Sequence, residues 1–252
     1  MRGATTARLA AAGCVAPDRE ADALVEAAGG DADRLELLVQ RRELGEPLPW
    51  LTGHAEFCGL RIALVPGVYV PREQSEPLAR RAAELLPPDG VGVDLCTGSG
   101  ALAAVMAAAW PGARVLGTDL SAEAVACARA NGVDAFEGRL DEPLAVELLG
   151  RVDVLCAVVP YVPTEAIAFL PRDVQAFEPA LALDGGPEGL DLLADAARAG
   201  ARWLRRGGWL GLELGGEQAV ALDGLLAQLG FTDVETILDD DGDPRAVWAR
   251  LA

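Results

Sequence analysis

The run Val91-Gly92-Val93-Asp94-Leu95 passes directly into Cys96-Thr97-Gly98-Ser99-Gly100 and then into the apolar stretch Ala101–Ala109. Few patterns restrict a chain more. A short, almost wholly apolar run predicts a strand buried in a parallel sheet; a glycine-rich turn follows, and a helix opens where its free N–H groups meet the strand end. Parallel strands need crossover helices, so the rest of the chain has to alternate. It does. A helix is predicted from just after Arg72 to about Leu86, strands over 91–95, 114–118, 152–157, 208–214, 232–238 and 245–250, and helices over 101–109, 121–131, 189–205 and 216–229. The architecture expected is α/β: a Rossmann-like, mostly parallel sheet covered by helices on both faces.

The first part of the chain reads differently. Residues 18–29 and 31–44 have the spacing of two short helices, with Leu24/Val25 and Leu35/Leu38/Val39 on their apolar sides and Asp18 and Asp31 at capping positions. Between Gly45 and Pro71 the pattern becomes Gly/Pro-punctuated. Leu60–Val65 alternates loosely, and Pro66-Gly67 offers a turn before Val68-Tyr69-Val70, which predicts a β-hairpin. The division expected is a helical domain over 1–44, a hairpin linker over 45–71 and the main domain over 72–252.

Composition narrows the partners. With 252 residues, 51% of them hydrophobic, there is material for one sizeable core and a small appendage. The formal charge of −18, from 21 basic residues (all Arg) against 39 Asp+Glu, repels phosphate backbones, so nucleic acid is not the expected partner. Five cysteines without a CxxC pair, and a single histidine, His54, argue against a zinc site and fit reduced thiols of a cytoplasmic protein; no metal is expected. Neither a secretory leader nor an apolar run of about 18 residues stands out, so no membrane association is expected.

Chemistry concentrates at strand ends. Asp119 closes the second strand, where a carboxylate can accept hydrogen bonds from both hydroxyls of a ribose. Gly98-x-Gly100-x-x-Ala103 also satisfies the dinucleotide fingerprint, which is weak by itself, and an unliganded tight turn is the bland alternative. Asp94, inside the end of the first strand, suits the cationic amino-acid end of S-adenosylmethionine better than an anionic pyrophosphate. S-adenosylmethionine is therefore the expected cofactor, held by Asp94, Cys96, Thr97, Gly98, Ser99, Gly100, Ala101, Asp119, Leu120 and Val158. Cys96 occupies a turn position that glycine fills more easily. His54 reads as a surface or hinge residue. Glu213 and Asp184 are either cleft residues or turn carboxylates, and Asp239-Asp240-Asp241 reads as a solvated turn.

Several ordered stretches carry a family resemblance: Gly45-Glu46-Pro47-Leu48, Leu51-Thr52-Gly53, Glu56–Leu60, Pro66–Arg72, Asp94–Gly100, Pro160-Tyr161-Val162-Pro163 and, most distinctive, Phe177-Glu178-Pro179-Ala180-Leu181-Ala182-Leu183-Asp184-Gly185-Gly186-Pro187-Glu188-Gly189-Leu190. Over about residues 45–252 the chain resembles the release-factor glutamine methyltransferases. The resemblance implies a class I S-adenosylmethionine-dependent methyltransferase fold with a seven-stranded sheet and a small N-terminal helical domain. It also implies a glutamine side chain of a peptide-chain release factor as acceptor. In that family an Asn-Pro-Pro-Tyr loop presents the acceptor to the cofactor; by resemblance the loop here is Val158-Val159-Pro160-Tyr161, without the asparagine.

An amide nitrogen is a poor nucleophile because its lone pair is delocalised, so a side-chain amide oxygen, a main-chain carbonyl and an aromatic ring orient it. Val158 can do none of this, and losing one such positioned group typically costs about 10²–10³ in rate. The sole asparagine, Asn131 beside Gly132, reads as a helix C-cap and not as a displaced replacement. A small-molecule acceptor walled by Val158 and a catalytically silent binding protein are the alternatives. A nucleic-acid base methyltransferase ranks last because of the charge. Taken without the resemblance, Val158-Val159 is ordinary core sequence and Tyr161 packs on the sheet edge.

Overall fold

The computed structural model describes residues 2–252. Three helices come first, α1 (Arg2–Ala11), α2 (Pro17–Ala28) and α3 (Ala32–Glu43), followed by a short α4 (Leu48–Thr52). Leu9, Leu24, Leu35, Leu38, Val39 and Leu51 form a small core of their own. The predicted pair is thus joined by a helix that its sequence hides, since Leu9 is the only buried large apolar side chain of α1. Asp31 caps α3 as expected, accepting from the Asp33 and Arg34 amides. Asp18 does not cap α2: the helix opens on Pro17, whose missing N–H costs nothing in the first turn, and Asp18 lies inside that turn.

Strands β1 (His54–Phe57) and β2 (Leu60–Ala63) then pair as an antiparallel hairpin. Its turn is not Pro66-Gly67, as the sequence suggests, but Cys58-Gly59, with φ of 51° and 78°. Two successive positive φ values make the tight turn that matches strand twist, and cysteine is an unusual residue to supply one. Pro66-Gly67 makes a separate turn, closed by the Val68 amide on the Val65 carbonyl at 3.3 Å, and no strand follows it.

The main sheet has seven strands. After α5 (Glu76–Leu85) come β3 (Val91–Leu95), α6 (Ala101–Ala109), β4 (Arg114–Asp119), α7 (Ala122–Ala130), β5 (Asp134–Glu137) and β6 (Val152–Ala157). A loop carrying α8 (Arg172–Phe177) leads to α9 (Asp191–Trp203), β7 (Leu204–Glu213), α10 (Gln218–Gln228), β8 (Phe231–Leu238) and β9 (Pro244–Leu251). The order is β5-β4-β3-β6-β7-β9-β8, and β9 alone runs antiparallel, because the β8–β9 hairpin folds back between β7 and β8. Asp239 organises its turn, accepting from the Asp241 and Asp243 amides.

Leu193, Ala196, Trp203, Leu222 and Leu226 cover one face of the sheet, and Leu78, Ala82, Leu102, Met106 and Val125 cover the other. Among the described residues no helix is long and apolar enough to cross a membrane. The chain winds outward from β3 to β5 and then returns to β6 on the other side of β3. That reversal opens a crevice beyond the carboxyl ends of β3 and β6, where open α/β sheets hold their ligands.

One contact tests the packing of this sheet. A Cβ at Gly211 of β7 would lie 2.6 Å from the ring of the fully buried Trp248 of β9. Gly211→Ala should destabilise the fold by about 1–3 kcal/mol through overpacking. Urea unfolding should show a lower midpoint with an unchanged slope; an unmoved midpoint would contradict this packing.

Candidate functional site

Leu95 pairs with Thr118 on β4 and with Ala157 on β6, and Ala157 pairs with Leu212 on β7. The next residue of each strand therefore stands in one row: Asp119, Cys96, Val158 and Glu213. A cavity of about 780 Å³ opens beside this row, within the range of roughly 300–1,000 Å³ for small-molecule sites. Asp94, Cys96, Thr97, Gly98, Ser99, Ala101, Asp119 and Leu120 line one part of it, and Val158, Val159, Pro160 and Tyr161 another. Gly100 is not on the cavity. At φ 82° it sits behind the loop, where a Cβ would come within 2.9 Å of Val133 and 3.0 Å of Ala128. Its role is close packing of the turn on α7.

The loop is held by main-chain bonds. Thr97 N–H donates to Thr118 O at 2.9 Å and Gly100 N–H to Thr97 O at 2.8 Å. Asp119 accepts from Gly98 N–H at 2.8 Å and from Ser121 N–H at 2.9 Å, so this carboxylate fixes the loop as well as facing the cavity. Burial raises the Asp119 pKa above its usual value, and the amides of Ser121, Gly98 and Leu120 hold it back. Cys96 has φ 55°, a conformation that costs a non-glycine residue about 1–3 kcal/mol. Burial, and then the charges of Asp119 and Asp94, push its thiol far above the usual range, so it remains protonated.

Asp94 is buried, accepting from Thr97 Oγ1 at 2.6 Å and from Ala103 N–H at 3.3 Å. Burial pushes its pKa up to about 7, against these two hydrogen bonds. A carboxyl poised there is ready to ionise when a cation arrives beside it.

The other part of the cavity depends on main-chain contacts. Gly185 allows the segment after α8 to lie against Pro160 and Tyr161, where a Cβ would be 2.7 Å from Pro160 O, and a Cβ on Gly189 would overlap the Tyr161 carbonyl. Gln218, buried at the start of α10, donates to that same Tyr161 carbonyl at 2.8 Å and accepts from Gly215 N–H at 3.0 Å. Nothing in periodicity singles out Gln218; the signal was its place after Gly215-Gly216 at a strand end, the same arrangement as in the first loop.

Glu213 is buried and accepts from the Tyr161 hydroxyl at 2.9 Å. Asp184 is an exposed turn carboxylate bonded to Thr164 and to the Gly186 amide. His54 opens β1, away from the cavity, its ring against Thr52 O and Arg61. Asn131 is the C-cap of α7, and its side chain also donates to Ser99 O and Ala63 O and accepts from Ala63 N–H, tying loop to hairpin. Val68, Tyr69 and Pro71, read from sequence only as part of a hairpin, close over the cavity.

A crevice at this reversal, walled by a glycine loop, a carboxylate ending β4 and a tetrapeptide following β6, defines a class I methyltransferase. Solved structures share the fold: the ribosomal protein L11 methylase from Lactobacillus delbrueckii subsp. bulgaricus superimposes with a TM-score of 0.53 at 19% identity, covering 76% of this chain and 86% of that one. No family model matches the chain. Full sequences are more specific. The release factor glutamine methyltransferase of Mycolicibacterium smegmatis is 38% identical over a gapped alignment of 272 positions, covering 99% of this chain and 96% of that protein. That of Moorella thermoacetica is 37% identical over 262, covering 94% and 92%. The chain belongs to the release factor glutamine methyltransferase family and is an S-adenosylmethionine-dependent methyltransferase.

Asp94 makes stability depend on pH. Its folded pKa of about 7 lies above the unfolded value of about 3.9. Between these values the folded state holds the extra proton, so this group's contribution to stability falls as pH rises from about 4 to about 7. Asp94→Asn should remove that decline. Urea unfolding of both proteins at pH 5 and pH 7.5 checks it, and parallel pH dependences would refute it.

Proposed function

We propose that this enzyme transfers a methyl group to the side-chain amide nitrogen of a glutamine in a peptide-chain release factor, in the cytoplasm. S-adenosylmethionine, when bound, supplies an electrophilic methyl group on a sulfonium. Residues Asp94, Cys96, Thr97, Gly98, Ser99, Ala101, Asp119, Leu120 and Val158 are the proposed cofactor contacts, with Asp94 toward the ammonium end and Asp119 toward the ribose. What supports this is a donor set that fits the group: a buried carboxyl for a cationic end and a strand-end carboxylate facing the same cavity.

The single observation that carries the acceptor assignment is the immobilised main chain of Pro160-Tyr161, clamped by Gln218 and by Gly185 and Gly189, which lie against it. With the loop anchored at that end, the neighbouring Val159 carbonyl can accept from an amide N–H while the Tyr161 ring sets its plane, and orientation of this kind is what a delocalised nitrogen needs. Here Val-Val-Pro-Tyr stands as a degenerate form of the family's tetrapeptide. We assign residues 1–44 to a helical domain that contacts a macromolecular acceptor, 45–71 to a hairpin linker and 72–252 to the methyltransferase domain. A second reading, a small acceptor with a nitrogen, oxygen or carbon that needs less activation, draws support from the apolar wall of Val158, Val159, Leu181 and Leu183.

Two measurements test this reading. Asp119→Ala should weaken S-adenosylmethionine binding by about 1.5–3 kcal/mol in calorimetry, the range for hydrogen bonds to a charged group; unchanged affinity would remove Asp119 from the site. Val158→Asn should raise turnover on a bacterial release factor by at least about tenfold, because it returns a hydrogen bond aimed at the reacting nitrogen. A small apolar acceptor would instead lose rate through an unpaired polar group. Undetectable methylation of the release factor by both proteins would refute the glutamine assignment.

A further inference from the structure

We propose that Glu213 is a positioning residue for methyl transfer, its carboxylate acting with the Gln74 amide to fix the Tyr161 ring beside the acceptor. The inference rests on the methyltransferase role of the Val158–Tyr161 loop given above.

The Tyr161 hydroxyl donates to Glu213 Oε1 at 2.9 Å, and Gln74 Nε2 donates to the same hydroxyl at 3.0 Å and to Glu213 Oε1 at 3.3 Å. The hydroxyl thus gives one hydrogen bond and receives one. The main-chain end of the residue is held separately by Gln218, so Tyr161 is fixed at both ends. Glu213 is only 1% exposed, and its Oε2 has no partner among the described residues. Burying a carboxylate in that state costs stability, and an apolar side chain at the end of β7 would avoid the cost. The burial is explained by what Oε1 does. Val158, Val159 and Pro160 have no polar side-chain atoms, so Tyr161 alone in the tetrapeptide can be oriented through a side-chain hydrogen bond. Gln74 stands just before α5, so the triangle joins the segment leading into α5, the β6 loop and the β7 end.

Electrostatics around the ring agree with this geometry. Burial first, then Glu213 and Tyr69, push the Tyr161 phenol well above its usual range, with Arg245 opposing them. The hydroxyl therefore stays protonated and remains a donor to Glu213.

The test uses the full chain with S-adenosylmethionine and a bacterial release factor, comparing wild type with Glu213→Ala, Glu213→Gln, Tyr161→Phe and the Glu213→Ala/Tyr161→Phe double variant. Glu213→Ala should lower kcat by about tenfold to a hundredfold, the scale of a misplaced reacting group, without changing cofactor Kd. Glu213→Gln, which keeps an acceptor oxygen, should restore most of the rate. The double variant should be no worse than the worse single one, because both remove the same bond.

A second readout needs no acceptor. Tyr69 and Tyr161 are the only tyrosines, so the hydrogen-bond-sensitive tyrosine bands of the ultraviolet resonance Raman spectrum, assigned with Tyr161→Phe, report on the Tyr161 hydroxyl directly. Glu213→Ala should move the Tyr161 bands away from those of a strong donor, and Glu213→Gln should keep most of the wild-type pattern. Multiplying rate losses, or Tyr161 bands unmoved by Glu213→Ala, would overturn the proposal. If wild type fails to methylate the release factor, the acceptor assignment falls, and the Raman bands still decide whether Glu213 governs Tyr161.

Discussion

Level strand ends are the constraint on which the site depends. In a parallel sheet the slanted hydrogen-bond ladder fixes the register, and here it sets β4, β3, β6 and β7 to stop together. Both faces of these four strands are packed under helices, so a charged side chain in mid-strand finds little solvent there. Only at the carboxyl edge can carboxylates, free amides and a ligand meet. Asp94 is the exception, one residue short of the edge, and it carries the consequence of that position in its raised pKa.

This explains which parts were legible in the sequence. Val91–Leu95, Ala101–Ala109 and Val152–Ala157 have the bounds their composition suggests, because segments buried on nearly all sides are almost wholly apolar and end abruptly. The reading failed where local signals were weak or unusual. Helix α1 buries a single large apolar side chain, the short edge strand β5 follows Gly132 without a clear alternation, and the hairpin turns on a cysteine where asparagine or glycine would be recognisable. Asp94, Asp119 and the Val158–Tyr161 loop could be placed at strand ends from sequence alone. Gln218 and Gln74 could not, since their partners lie 57 and 87 residues away. Glu213 was noticed, but the choice between a cleft and a turn carboxylate needed the Tyr161 contact.

The structure also changes the meaning of the loop's apolar side chains. Valine at 158 and 159 offers no polar side-chain atom, whereas the main chain of Pro160-Tyr161 that follows is shaped by glycines that admit no Cβ and by a buried glutamine amide. Two kinds of information are separable here: side-chain identity, and backbone conformation, which neighbouring segments impose.

Asn131 has a consequence beyond capping its helix. Its one amide group bonds both polar atoms of Ala63 and the carbonyl of Ser99, so strand β2 and the glycine loop share a single fastening. Aspartate has the length but lacks the donors, and glutamine has the donors at a different reach. Whatever orders the loop must therefore also order the hairpin, and linked equilibria work equally in reverse. The hairpin and the segment that follows it are in this sense a wall of the cavity whose fit is felt on the far side of the turn.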